Sequence, residues 1–397
     1  MSTHVRPGAR VGPLAAKRTE NPALDIDELL DDEGTHIIVC CGSGGVGKTT
    51  TSAALALRAA ERGRNVVVLT IDPARRLAQS MGIERLDNTP RPVPGVNADN
   101  GGSLDAMMLD MKRTFDEVVE SQASPEKAAQ ILANPFYQAL SSSFAGTQEY
   151  MAMEKLGQLR QDAQRTGRWD LIVVDTPPSR SALDFLDAPE RLSSFLDGRF
   201  IRLMLAPARG PARLMTAGLG VVTHALTKVL GAQVLRDMQT FIAAFDTLFG
   251  GFRQRAQKTF ELLQAKETAF LVVAAPEPDA LREAAFFVER LKAEDMPLAG
   301  LVVNRTGRVP PRGLSGDQAR AAAENLDRAD DPDGSSVITA GLLRLHADRT
   351  RIVARESRLR QRFGAAHPDV PSALVPALST DVHDLDGLRL VGDLLAG

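Results

Sequence analysis

A glycine-rich run followed by a lysine and two threonines has the composition of a phosphate-binding loop in this 397-residue chain. It fits the pattern G-x-x-x-x-G-K-[ST]. The run consists of Gly42, Ser43, Gly44, Gly45, Val46, Gly47, Lys48, Thr49 and Thr50. Glycines let successive backbone N–H groups point at a phosphate, which side chains would block. Lys48 can then reach the β- and γ-phosphates, and the Thr49 hydroxyl can bind Mg²⁺. The run therefore predicts a loop that binds ATP with Mg²⁺.

Two aspartates follow apolar runs and are candidates to act beside the same phosphates. Asp175 ends the run Trp169–Asp175, where a carboxylate can lie beside Mg²⁺ and act through a coordinated water. Asp72 follows the run 66–71, where it can touch the phosphates or cap a helix that starts at Pro73. The two roles of Asp72 are compatible. We therefore expect both carboxylates near the bound phosphates.

These residues stand at the ends of short apolar runs, which are typical of strands buried on both faces. Strands are predicted at 36–41, 66–71, 171–175, 270–274 and 301–304, with an edge strand at 106–109 and a last strand near 373–378. Helical spacing of apolar residues over Thr49–Gly63 separates the first two strands. Strands separated by helices predict an α/β fold with a doubly wound, mostly parallel sheet.

Two long segments interrupt this alternation. Residues 112–168 and 185–266 carry apolar side chains at helical spacing and each follows a strand, so we predict a helical subdomain formed by insertions. The rest of the folded chain is predicted to form a P-loop ATPase domain from residues 34–111, 169–184 and 267–397. Residues 1–33 are expected to be a flexible tail, and residues 308–336 a flexible surface stretch.

Composition and charge argue against several classes of function. The chain has 47 basic and 50 acidic residues and a formal charge of −3, which gives no electrostatic case for nucleic acid. No apolar run reaches the ~20 residues that a membrane-spanning helix needs. The only cysteines are adjacent, Cys40 and Cys41, so a disulfide framework is excluded and a reducing cytoplasm fits best.

Four motifs in sequence order resemble the ArsA/Get family of deviant-Walker ATPases. They are GGVGKTT at 44–50, IDPA at 71–74, DTPPS at 175–179 and VVNR at 302–305. That family includes arsenite-pump ATPases and ATPases that deliver tail-anchored membrane proteins. The resemblance implies that Asp72 positions the attacking water and that Asp175 begins switch II. It also implies that Asn304 hydrogen-bonds the adenine, although a strand-end cap is the other role open to Asn304.

The chain departs from the family pattern inside the loop. Members usually carry a lysine at the position of Ser43, and that lysine crosses a dimer interface to the partner's phosphates. Serine has no charge, and a cation of this kind is worth ~10³–10⁵ in rate in related NTPases. Either a paralogue that carries the lysine forms a heterodimer with this chain, or an arginine of this chain substitutes. The nearest in sequence are Arg75, Arg76 and Arg180.

The resemblance leaves the client of the ATPase open. An arsenite site needs thiolates, but Cys40 and Cys41 are consecutive on a strand and point to opposite faces. The Cys-x-x-Cys zinc motif of many targeting members is absent. Methionines in the helical insertions suit an apolar client, although they equally suit an ordinary core.

We therefore predict a cytoplasmic ATPase that acts as a dimer. ATP-driven closure would reshape the helical subdomain, which would bind an apolar client or a membrane-linked partner. A first alternative is a catalytically weak, nucleotide-binding regulatory subunit of a heterodimer with a lysine-bearing paralogue. A second is a metabolite kinase or ligase on the same fold, with the insertions as its substrate pocket.

Overall fold

Eight strands form one sheet in the part of the chain that the structure describes. The computed structural model describes residues 21–71, 76–135, 137–138, 141, 147–177, 254–308, 313–328 and 334–397. The strands are β1 Ile37–Cys41, β2 Asn65–Thr70, β3 Arg91–Pro92, β4 Ser103–Met108, β5 Leu171–Asp175, β6 Thr268–Ala274, β7 Leu298–Thr306 and β8 Ser372–Pro376. Their order is β3-β4-β2-β5-β1-β6-β7-β8, and all neighbours pair in parallel except β3 with β4. The predicted α/β class and mostly parallel sheet are confirmed.

Helices cover both faces of this sheet. In chain order they are α1 Ile26–Asp31, α2 Lys48–Glu61, α3 Arg76–Ser80, α4 Met111–Gln122, α5 Pro125–Leu132, α6 Thr147–Thr166, α7 Pro278–Ala293, α8 Gly316–Leu326, α9 Ser335–Ala366 and α10 Leu385–Ala396, and residues 254–264 are also helical. Helices α1, α2, α3 and α10 enclose one hydrophobic core with the sheet. Helices α4 to α7 and the end of α9 enclose the other. Within the described ranges, no helix is both long and apolar enough to cross a membrane.

Strand β1 shows why its sequence is apolar throughout. Ile37, Val39 and Cys41 belong to one core, whereas Ile38 and Cys40 belong to the other. The two cysteines therefore face opposite sides of the sheet, as predicted. Burial raises the pKa of the Cys40 thiol to about 12 and raises the pKa of the Cys41 thiol as well. Both side chains are neutral core residues, which excludes a shared thiolate site.

The expectation of a flexible tail as far as residue 33 is wrong for its last part. Helix α1 begins at the cap residue Asp25, and its Ile26 and Leu30 are fully buried. Asn21 donates two hydrogen bonds to backbone carbonyls near the end of α9. The two apolar residues stand four apart among acidic ones, so one helical turn buries both although the segment looks polar. Ordered structure therefore starts at least twelve residues before residue 33.

The expected flexible stretch at 308–336 is also wrong in part, because α8 lies inside it. Ser315 and Gln318 form a capping box at the start of α8. The predicted edge position of residues 106–109 needs correction too, since β3 pairs along the outer side of β4. The two residues of β3 include a proline, which ends further pairing and protects the edge.

Helix α9, with 32 residues, is longer than any strand of the sheet. The Glu356 carboxylate accepts a hydrogen bond of 2.7 Å from the Gly307 N–H, which lies just past the end of β7. From there α9 runs back along the sheet to the start of β8. Residues 335–355 therefore extend beyond the carboxyl edge of the sheet, by ~30 Å at 1.5 Å per residue. Helix α8 packs against this extension and forms a hairpin with it, with Ala319 and Ala323 buried on α8.

Candidate nucleotide site

The glycine-rich loop follows β1, a central strand flanked by β5 and β6. Its backbone needs glycine at two positions. Gly42 has φ +147°, and a Cβ there would stand 2.1 Å from the Val273 carbonyl oxygen. Gly47 has φ +95°, and a Cβ there would stand 2.1 Å from the Asn304 amide nitrogen. Both the conformation and the close approach of neighbouring strands therefore exclude larger residues.

Lys48 is the first residue of α2, and its side chain is buried inside the loop. The ammonium donates a hydrogen bond of 2.8 Å to the Ser43 carbonyl oxygen, so the loop curls around the positive charge. Gly47 has no side chain to cap α2, and the positive end of the helix dipole points into the same loop. The loop thus surrounds a positive charge, and its chemistry fits a phosphate chain.

Thr49 and Asp175, the residues predicted to serve Mg²⁺, are in direct contact. The Thr49 hydroxyl donates to Asp175 Oδ2 at 2.8 Å, and the Thr70 hydroxyl donates to the same oxygen at 2.9 Å. Asp175 is fully buried at the carboxyl end of β5. Hydroxyl and carboxylate oxygens are the ligands that Mg²⁺ prefers, so this donor set fits the ion.

Thr70 was not singled out from the sequence, although it stands opposite Asp175 in the parallel register of β2 and β5. Thr176 is likewise held at this edge, because its hydroxyl donates to the Cys40 carbonyl oxygen at 2.8 Å. The start of the predicted switch II is therefore hydrogen-bonded to β1, the strand that precedes the loop.

Asn304 lies against the loop from β7. Its amide nitrogen donates to the Val46 carbonyl oxygen at 2.9 Å, and its amide oxygen accepts the Arg305 N–H at 2.9 Å. Arg305 has φ +60°, an uncommon conformation for a residue with a side chain. Its guanidinium donates to the Gly45 carbonyl oxygen at 3.0 Å. Arg305 is thus a cation at the exposed rim of the loop that the sequence motif contained but did not mark.

Several predicted residues lie outside the described ranges. These are Asp72, Arg75 and Arg180, and the side chain of Arg76 is not described either. Of the other loop residues, Ser43 and Thr50 are half-buried, Gly44 is exposed and Val46 is buried. In the part of the chain that the structure describes, no three His, Cys, Asp or Glu residues gather as a metal site.

Comparison with known proteins agrees with this geometry. The family described as "Anion-transporting ATPase" matches residues 35–310, more than half of the chain. The chain is 24% identical over 377 residues to "ATPase BagA" of Mycobacterium tuberculosis, covering 91% of this chain and 93% of that protein. It is 30% identical over 171 residues to "ATPase GET3" of Malassezia globosa, covering 43% of this chain and 47% of that protein.

A shorter match links the chain to "Arsenical pump-driving ATPase" of Acidiphilium multivorum. The two are 31% identical over 158 residues, which is 39% of this chain and 26% of that protein. The chain thus spans about half of the Malassezia protein and a quarter of the Acidiphilium protein, whereas it matches the mycobacterial relative along nearly its full length.

Proposed function

Since this chain belongs to the family of anion-transporting ATPases, we propose that it binds ATP with Mg²⁺ in the loop from Gly42 to Thr50 and hydrolyses the nucleotide. One observation carries the proposal. The buried ammonium of Lys48 and the contacting pair Thr49–Asp175 converge on the same glycine-rich loop. A cation for phosphate oxygens and an oxygen pair for a divalent ion are the two groups that phosphoryl transfer requires.

The roles of the residues follow from their positions. On ATP binding, Lys48 would exchange its bond to the Ser43 carbonyl for the β- and γ-phosphates, while loop N–H groups would hold the remaining oxygens. Thr49 and, through a water, Asp175 would hold Mg²⁺, which when bound offsets negative charge on the phosphates. Asp72 would orient the attacking water and accept its proton. Asn304 would bind the adenine from the end of β7.

The proposal is tested by Lys48→Ala, with the exposed Lys127→Ala as matched control. Removal of the charge should lower Mg²⁺–ATP affinity in calorimetry by at least about tenfold, since a charged contact to phosphate is worth ~1.5–3 kcal/mol. The control should bind as the unaltered protein does. Equal affinity for both variants and the parent protein would refute nucleotide binding by this loop.

We further propose that the ATPase acts as a dimer in the cytoplasm, and that closure around ATP reshapes the helical insertions. Buried, unpaired cysteines support the reducing compartment. The client or membrane-linked partner would bind the predicted subdomain, most of whose second insertion lies outside the described ranges.

Ser43 leaves two kinds of dimer open. A heterodimer would bring the missing lysine from a paralogue, whereas a homodimer would need a substitute cation from this chain. Arg305, which already contacts Gly45, is the described residue best placed for that role. Ser43 also favours the second candidate function, a catalytically weak regulatory subunit, because that subunit would receive help from its partner and return none.

The two kinds of dimer differ in rate and mass. If a paralogue supplies the cation, the isolated chain should be slow, and co-expression should accelerate hydrolysis by ~10³-fold or more. A paralogue whose signature lysine is changed to alanine should give no acceleration. Vigorous hydrolysis by a homodimer of the isolated chain, lost in Arg305→Ala, would contradict the heterodimer.

A further inference from the structure

A cavity of about 210 Å³ lies between the end of α9 and the sheet, on the face of the sheet that α7 also covers. Leu301 and Val303 line it from β7, Leu281 lines it from α7, and Phe363 lines it from α9. All four side chains are buried and belong to the same hydrophobic core. The cavity is therefore an opening into that core, beside β8, the last strand of the sheet.

The wall that α9 contributes is polar at positions where core residues are expected. Ser357, Arg360 and Gln361 line the cavity and share one face of the helix, because residues three and four apart are neighbours on a helix surface. Arg360 also stands three and four residues before Phe363 and Gly364, which are both buried. It therefore lies on the face of α9 that packs against the sheet, where leucine would fill the space.

The guanidinium of Arg360 has no partner in the described part of the chain. Its Nε is buried without a hydrogen-bond acceptor, and no ion pair among the described residues includes this arginine. Arg64, by contrast, donates to the Asp170 carboxylate and to three backbone carbonyls nearby. A buried N–H without an acceptor costs free energy, so the described fold alone does not explain an arginine at this position.

We propose that this cavity binds an apolar monocarboxylate, with its carboxylate on Arg360 and its hydrocarbon against Leu301 and Val303. A guanidinium matches a carboxylate with two parallel hydrogen bonds. Ser357 and Gln361 supply further donors on the same helix face.

The lining also limits the charge and the size of the ligand. Among the described residues that line the cavity, Arg360 is the single charged one, so a single negative charge is the best match. The apolar walls argue against free phosphate or sulfate, which would lose their hydration there. An apolar cavity of ~150 Å³ holds a six-carbon ring, so this one has room for about eight carbon atoms. Octanoate is therefore the probe that we choose.

The cavity is separate from the glycine-rich loop, although β7 contributes to both. Val303 faces the core beneath α9, whereas the next residue, Asn304, donates its hydrogen bond to the loop. Successive side chains of a strand point to opposite faces of the sheet. A nucleotide in the loop and a carboxylate in the cavity would therefore occupy different sites.

The test is calorimetric titration of the full-length protein, without nucleotide, with octanoate, 1-octanol and acetate. Octanoate should bind with a Kd on the order of 0.1–1 mM, as expected for a ligand of this size. The alcohol lacks the charge and acetate lacks the hydrocarbon, so each should bind at least about tenfold more weakly. Equal affinities for octanoate and 1-octanol, or no binding of octanoate at about 10 mM, would overturn the proposal.

Variants of the lining locate the binding. Arg360→Gln should weaken octanoate binding by at least about tenfold, whereas Arg358→Gln, exposed on the same helix, is the matched control and should bind as the parent protein does. Leu374→Glu, at a position 41% exposed on β8 that lines the cavity, should weaken binding because like charges repel. Equal affinities for the two arginine variants would refute the proposal, since Arg360 would then only extend its charge into solvent.

This readout is separate from ATP binding. Lys48→Ala should bind octanoate with the affinity of the parent protein, and a loss of octanoate binding in that variant would place the ligand at the loop and refute the cavity. A protein that binds octanoate but not ATP would keep the inference and refute the proposed function. A protein that binds ATP but not octanoate would do the reverse.

Discussion

The glycine-rich loop and the α8–α9 hairpin project from the same edge of the sheet, but their side chains are satisfied in different ways. At the loop, Lys48 and Thr49 already have hydrogen-bond partners within the chain. On the hairpin, Ile338 and Leu342 are more than half exposed. The loop can accept a small anion by exchanging one hydrogen bond for another, with little loss of conformational entropy. Among the described residues, the apolar side chains of α9 therefore lie largely open to solvent.

The largest effect that we expect comes from replacing a glycine of the loop. Gly42→Ala would drive a Cβ to 2.1 Å from the Val273 carbonyl and strain a positive φ. We expect a loss of about 3 kcal/mol or more in the free energy of unfolding, since strain of this kind lies at the upper end of point mutations. Urea unfolding without nucleotide measures it.

Gly45→Ala is the matched control for Gly42→Ala, because its φ is +77° but no atom lies within 4 Å of its Cβ position among the described contacts. We expect Gly45→Ala to lower the free energy of unfolding by only about 1–2 kcal/mol, which is the cost of a left-handed conformation for a residue with a side chain. Equal losses for both variants would mean that the approach of β6 to the loop does not constrain Gly42.

Asp72→Asn separates nucleotide binding from hydrolysis. The amide keeps the size of the side chain and its ability to cap a helix, but it removes the charge that we propose acts on the attacking water. We expect unchanged Mg²⁺–ATP affinity and hydrolysis slower by ~10²-fold or more, as for the loss of a general base. Single-turnover hydrolysis measures the rate, with the exposed Asp369→Asn as control. Normal turnover would leave Asp72 as a helix cap alone.

How far the sequence predicts each region follows from the range of its contacts. The loop was predictable because Gly42 through Thr49 form one local motif between a strand and a helix. Asp175 was predictable from its place at the end of an apolar run. Thr70 was not, since its role depends on the register of β2 beside β5, which one sequence does not give.

The hairpin was harder to predict. The exposed apolar residues of α9 are interrupted by Arg349 and lie in a helix rich in arginine, so the sequence shows no continuous apolar face. Helix α8 follows Gly313 and a serine cap, signals that equally suit a loop. In α1 the apolar pair Ile26 and Leu30 stands among acids, and only the fold shows that α1 packs against α2 and α10. In each case distant parts of the chain decide the structure.

The smallest expected effect concerns Gly341, the exposed glycine of the hairpin. Gly341→Ala replaces an exposed helical glycine by the best helix former. We expect the free energy of unfolding to rise by about 0.5–1 kcal/mol, measured by urea unfolding.

A second position of α9 supplies a control for the Gly341→Ala measurement. Ser336→Ala, at the start of the helix, changes the helix propensity without replacing a glycine. An unchanged or lower stability of Gly341→Ala would contradict this expectation, because it would show that another part of the protein meets the added methyl group. A gain in stability would complete the contrast with Gly42, because the fold requires the glycine of the loop and does not require Gly341.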